Sequence, residues 1–323
     1  MINRLFLSCT LLLANAANAI SYQSVFEDSP DSQSRAFFEE AAKADRKDHL
    51  ALFYLGRLAM QERDFKQAID QFEDALDLED NDHHYHYWYA SAHIANVWNV
   101  NMLKQKGYTK RIRKALERAV ELQPDHLDSL QRLLAFYALA PKSVGGNIDK
   151  ARELGVVIGK LDSALGLEAK ASLLAHDKKF EEAESTYAAA VETDLENIEI
   201  RYRYAAFLIQ SDKFREGENQ IDIALEMAIK AGDDRLARLL AYQLGKAAAV
   251  SGSSLDRGET ALQAYLEEAV DGSMPGHDWA RFWLARIYMH QGLSELALSS
   301  VRTVRKSTAD GKLKNEISSF LKG

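Results

Sequence analysis

The chain has 323 residues, 47% of them hydrophobic and only four of them proline, which excludes wholesale disorder and leaves long helices open to it. A formal net charge of −8 argues against general nucleic-acid binding, which needs a basic face. The length suits one elongated repeat domain or two compact ones.

Residues 1–19 read as a secretory signal peptide. Arg4 supplies the positive start, Leu5-Phe6-Leu7 and Leu11-Leu12-Leu13 a short apolar run, and Ala17-Asn18-Ala19 the small-x-small cleavage pattern. The expected protein is exported, with the periplasm as its first-choice location and secretion or a lipid anchor as alternatives. The only cysteine, Cys9, lies inside this segment. It comes too early for a good lipid-modified N-terminus. A chain cleaved after Ala19 would have no disulfide, zinc-thiolate site or cysteine nucleophile. No later stretch is apolar for long enough to cross a bilayer.

After an N-terminal segment from residue 20, Ser34, Phe38 and Ala41 fall at helical spacing, so residues 32–47 are expected to form a single helix that covers an open end. From residue 49 one ladder of small and large residues repeats. Gly56 is followed by Ala68, Phe72 and Ala75, and Ala171 by Ala183, Tyr187 and Ala190. Ala205 is followed by Gly217, Ile221 and Ala224, and Ala285 by Ala297, Val301 and Val304. The offsets are twelve, four and three each time. Two antiparallel helices approach closely only where both carry small side chains, with a large neighbour filling the remaining groove.

This ladder resembles the tetratricopeptide repeat, with Pro124 closing one unit as the family often does and Asp80 and Leu195 departing from that habit. The resemblance implies an all-α solenoid of about seven helical hairpins. Units are expected to start near His49, His83, Leu127, Ala164, Ile198, Arg238 and Asp278. The solenoid would run over residues 49–305, behind an N-terminal segment and half-repeat at 20–48. A capping helix would close it at 306–323, where Leu313, Ile317 and Phe320-Leu321 recur. The second unit carries an insertion around residues 96–106, and the third carries extra residues that include Pro141 and Gly145-Gly146. The sixth unit fits with one inserted residue.

No phosphate-binding glycine loop, His-Glu-x-x-His or Gly-x-Ser-x-Gly pattern is present, and no catalytic residue or cofactor is expected. Three features stand out against that background. The run His83-His84-Tyr85-His86-Tyr87-Trp88-Tyr89, with His93, places His83, His86 and His93 at helical spacing. A metal-binding or enzymatic site is one reading of it. Exposed first-turn histidines, with His86 in a packing position, are the other.

The second feature is basic. Lys104, Lys106, Lys110, Arg111, Arg113 and Lys114 follow the apolar stretch from Ile94 to Leu103. They suit an acidic partner or anionic lipid headgroups, or else solvated lysines on a helix start. The third feature comes from the resemblance, which implies that the fifth position of each unit faces an inner groove. Those positions hold Phe53, Tyr87, Gln131, Glu168, Tyr202, Tyr242 and Phe282, with Arg57, Lys246 and Arg286 nearby. Rings with scattered cations suit an extended peptide or an inserted helix, and packing between adjacent units is the alternative. The resemblance thus implies a non-catalytic scaffold or adaptor in the cell envelope, whose partner is another protein or a peptide and not a nucleic acid.

Overall fold

The computed structural model describes residues 22–27, 31–97, 100–267 and 274–322. Among these every regular element is helical. The proposed signal segment lies outside the described residues. The chain divides into two units, residues 1–154 and 155–323, with the boundary inside one helix.

In the first unit a helical segment at 22–27 precedes α1 (Asp31–Ala44). Then come α2 (His49–Gln61) and α3 (Phe65–Leu78), α4 (His83–Asn96) and α5 (Met102–Leu122), and α6 (Leu127–Leu139). Helix α7 (Ile148–Leu161) carries the boundary. The second unit contains α8 (Ser163–His176) and α9 (Phe180–Thr193), α10 (Ile198–Gln210) and α11 (Phe214–Ala231), then α12 (Asp234–Ser251) and α13 (Leu255–Glu267). It ends with α14 (His277–His290), α15 (Ser294–Ser307) and α16 (Gly311–Phe320).

The expected starts agree with the helices closely, except in the sixth hairpin. There α12 begins at Asp234 rather than Arg238, because Asp233 caps a first turn that the repeat register does not require. Short acidic and amide side chains set many of the other starts in the same way. Asp48, Asp64, Asp82, Asn101, Asp162, Asn197 and Asp310 each accept a backbone N–H of the following first turn, satisfying a donor that the helix itself leaves orphaned. The turn inside a hairpin recurs too. Arg63, Lys178, Asp212 and Gly292, each two residues beyond a first helix, all take a left-handed backbone.

The ladder is the core. Ala68, Phe72, Ala75, Ala171, Ala183, Ala190, Ala205, Ala224, Ala285, Ala297 and Val301 are fully buried. A methyl added at Gly56 would lie 2.6 Å from the Phe72 ring, so only glycine lets α2 and α3 meet there. The end helices close the stack as expected. Phe38 of α1 is buried and stacks on Tyr54 at 5.2 Å, while Leu313 and Ile317 of α16 are buried against the last hairpin.

The second and third units differ in how they absorb their extra length. In the second, the inserted residues lengthen α5 to 21 residues, started by Asn101. In the third, they form a tight turn at Lys142–Val144 that ends on Gly145 with φ +109°, a backbone that favours glycine.

Candidate functional site

In the first unit the end of α4 and the first half of α5 meet α6. A depression of about 730 Å³ opens there between Ile94 of α4 and Val97 just after it, Lys106 and Thr109 of α5, and Phe136 and Leu139 of α6. Leu139 is 78% exposed at its edge, a position with no packing reason for a leucine. Arg132 lines the same depression and is held in place: its Nε donates to the Tyr87 hydroxyl at 3.0 Å. Lys104, Lys106, Lys110, Arg111 and Lys114 are exposed along α5. Of these only Lys106 lines the depression, so its largely apolar lining carries two cations, Lys106 and Arg132, with the other exposed cations of α5 outside it.

Arg113 departs from that group. Its guanidinium pairs with Glu117 at 3.1 Å, Glu117 in turn accepts the Tyr137 hydroxyl at 2.7 Å, and the Arg113 side chain packs against the turn at Gly145. Its charge is already answered, so it is a structural residue and not part of the open basic face. Five cations remain on that face where the sequence offered six.

The histidines divide differently from their sequence spacing. His93 is fully buried, with its ring edge-on between Tyr89 and Tyr108 at 4.5 and 4.7 Å, and neither ring nitrogen finds a partner. Burial, with Arg111 as the second cause, pushes its pKa down to about 4. His86 is buried and directed at Asp80, 3.0 Å from both its carbonyl and its carboxylate oxygen. Neither converges with His83, so the trio His83, His86 and His93 is corrected by the structure. Helical spacing put the three on nearby faces, but packing turned two of them inward. His83 instead meets His84 and His126, with ring centroids 3.9 and 4.8 Å away. His126 begins the next repeat, so no local spacing rule could have joined it to the others.

The row of rings at the fifth repeat position is mostly interior. Phe53, Tyr87, Tyr242 and Phe282 are all buried, and Tyr202 is half-buried. Phe53 stacks on Tyr85 of the next hairpin at 4.6 Å, which is the packing alternative raised for these positions. A ligand would not meet these four faces, and the expectation of an aromatic groove lining is corrected accordingly. Glu168, at the same register, is buried as well and pairs with Arg203 at 3.3 Å.

The cations named beside those rings sit on tryptophan. Arg57 lies 3.9 Å over Trp88 and 4.8 Å from Phe26, and burial lowers its pKa. In the second unit Lys246 and Arg286 lie 5.8 and 5.4 Å from Trp283. Trp88 and Trp283 each fall one residue past the fifth position. The chemistry expected there is present, one step along the helix. What sequence reasoning missed altogether is Leu139 and Arg132, and the signal available was an unexplained apolar residue beside Pro141.

Comparison with known proteins gives the same architecture. Residues 49–82 match a family described as tetratricopeptide repeat, and residues 242–311 match a second family of that description. Yeast Tom70 is similar in structure at a TM-score of 0.64 and 14% identity, covering 90% of this chain and 57% of that one. The human IFIT1 dimer with m7Gppp-AAAA is similar at a TM-score of 0.52 and 13% identity, covering 90% of this chain and 72% of that one. A thermophilic TPR protein of Thermus thermophilus aligns at 22% identity and a TM-score of 0.45, over 55% of this chain and 91% of its own. At these identities the likeness is one of fold. No curated protein matches the chain by sequence.

Proposed function

The chain is a tetratricopeptide repeat protein, and from that premise we propose that it is a non-catalytic scaffold. It holds a partner protein against the depression between α4, α5 and α6. The observation that carries this reading is the 78% exposure of Leu139 at the edge of an apolar depression that Lys106 and Arg132 also line. An exposed leucine costs nothing when alone, but one that edges an apolar depression lined by two cations marks a docking surface. The complementary partner is a segment with one apolar face and one acidic face. Cations of this kind raise encounter rates and fix orientation more than they add affinity. The human IFIT1 structure contains a capped oligoadenylate. A net charge of −8 does not favour that ligand class here.

The test places a photo-crosslinking residue at Leu139 in the native host. We expect one dominant adduct, reduced at least tenfold by Lys106→Glu with Lys110→Glu. Both changes are at exposed sites and leave the helical signal intact. An adduct that survives the charge reversal, or that also forms from exposed Leu195 in the second unit, overturns the reading. Sedimentation with anionic vesicles distinguishes a lipid surface from a protein partner. No helix among the described residues is long and apolar enough to cross a membrane.

The export reading is proposed with it, on the pattern of residues 1–19. Cell fractionation with N-terminal sequencing checks it. A mature chain that still begins at Met1 in the cytosol overturns it.

A further inference from the structure

Three imidazoles from two consecutive repeats converge on one edge of the first unit. His83 and His84 open α4, and His126 caps the start of α6. One nitrogen from each lies within 4.8 Å of the others. We propose that His83, His84 and His126 bind one zinc ion, which joins the second hairpin to the third.

The surroundings are those a metal site needs. Metal-bound imidazoles usually have their second nitrogen held by a carboxylate or other acceptor, which fixes ring orientation and tautomer. His84 has that arrangement: its Nδ1 is 3.1 Å from Asp82 Oδ1, and His83 Nδ1 is 3.9 Å from the same oxygen. Asp82 itself is tied to the helix start by the His84 backbone N–H, which donates to it at 2.8 Å. His126 Nδ1 lies 2.7 Å from the Ser129 hydroxyl, which can accept an Nδ1 proton and so present Nε2 to a metal. With its proton on Nδ1, His126 would give up the longer 3.3 Å bond in which the Ser129 backbone N–H donates to Nδ1.

A set of three neutral imidazoles with no thiolate suits zinc, copper or nickel rather than calcium or magnesium. Zinc takes tetrahedral geometry at about 2.0–2.1 Å per nitrogen, so the three rings must draw together by small side-chain rotations. His84 is exposed, which leaves the fourth position to water or to a group from a bound partner. Without a metal, three imidazoles this close repel one another on protonation. His83 and His126 both have lowered pKa values, with burial the largest cause and the neighbouring histidines contributing.

Zinc chloride titrated calorimetrically into tag-free full-length protein at pH 7.5 tests the site. The expected result is one ion per chain, with Tm rising as zinc is added. His126→Asn removes the imidazole and keeps a good helix cap, and His84→Gln alters an exposed side chain. Each is expected to lower zinc affinity at least tenfold, whereas His176→Gln, in the second unit, leaves it unchanged. No heat in the wild type, or wild-type zinc affinity in both cluster variants, overturns the proposal.

Discussion

The indole of Trp283 donates a hydrogen bond to the hydroxyl of Tyr242 across 2.9 Å, with both side chains buried. Tyr242→Phe leaves that N–H with no acceptor in a dry site. A buried donor without a partner costs about 1–3 kcal/mol. The same change in a chain that already carries Trp283→Phe is expected to cost much less. Urea unfolding of the two single variants and the double variant measures the coupling. An uncoupled pair would place the bond outside the energetics of the last hairpins.

Gly56 and Gly107 are expected to respond to alanine with opposite signs. At Gly56 the new methyl meets the Phe72 ring at 2.6 Å, and overpacking of this kind costs about 1–3 kcal/mol. At Gly107, within α5, nothing lies within 4 Å, so the gain in helix propensity is about 0.5–1 kcal/mol. Thermal unfolding of both variants checks the pair.

His93 makes the protein acid-sensitive. Its folded pKa of about 4 lies below the ordinary 6.5. Between those values the unfolded chain holds a proton that the folded chain does not, so stability is full above pH 6.5 and falls as pH drops through the window. The loss by pH 4 is roughly 3 kcal/mol. His93→Phe keeps a ring in the tyrosine sandwich and is expected to flatten that slope. Denaturant midpoints at pH 7.5 and 4.5 give the comparison. His83 and His126, lowered in the same sense, account for any slope that remains.

Arg203→Met is expected to destabilise the second unit. It removes the cation facing Glu168, whose carboxyl burial pushes upward in pKa and Arg203 pulls back. Breaking a fully buried pair costs about 3–5 kcal/mol, and the 41% exposure of the Arg203 side chain discounts this to about 2 kcal/mol. Adding Glu168→Gln is expected to restore part of the loss. A full loss in the double variant, read by urea unfolding, would mean that Arg203 acts through packing alone.

The fold was legible because its core obeys a rule of spacing. Ala68, Phe72 and Ala75 are buried for the reason their offsets announce, and the same holds at Ala183 and Ala297. Unit starts at His49, His83, Leu127 and Ile198 coincide with helix starts because the repeat register and the capping residues agree there. The site was less legible. The register placed Phe53 and Tyr242 on helix faces near a groove, but rotation of a helix by one residue decides whether a ring looks outward or into the neighbouring hairpin. That rotation is set by contacts between repeats, which no single repeat encodes. His126 joins His83 and His84 for the same reason, across 42 positions of sequence.

The ladder also bears on how such a chain can change over generations. A helix turns by about 100° per residue, so one residue added between Ala68 and Ala75 would swing one of them away from α2. Additions at the ends of helices carry no such penalty, and the second and third units place theirs there, at the start of α5 and after α6. Loss or duplication of all 34 residues from 49 to 82 would shift no register at all. Drift in this lineage is therefore expected to proceed by whole hairpins and by lengthened helix ends, with single-residue insertions inside helices purged.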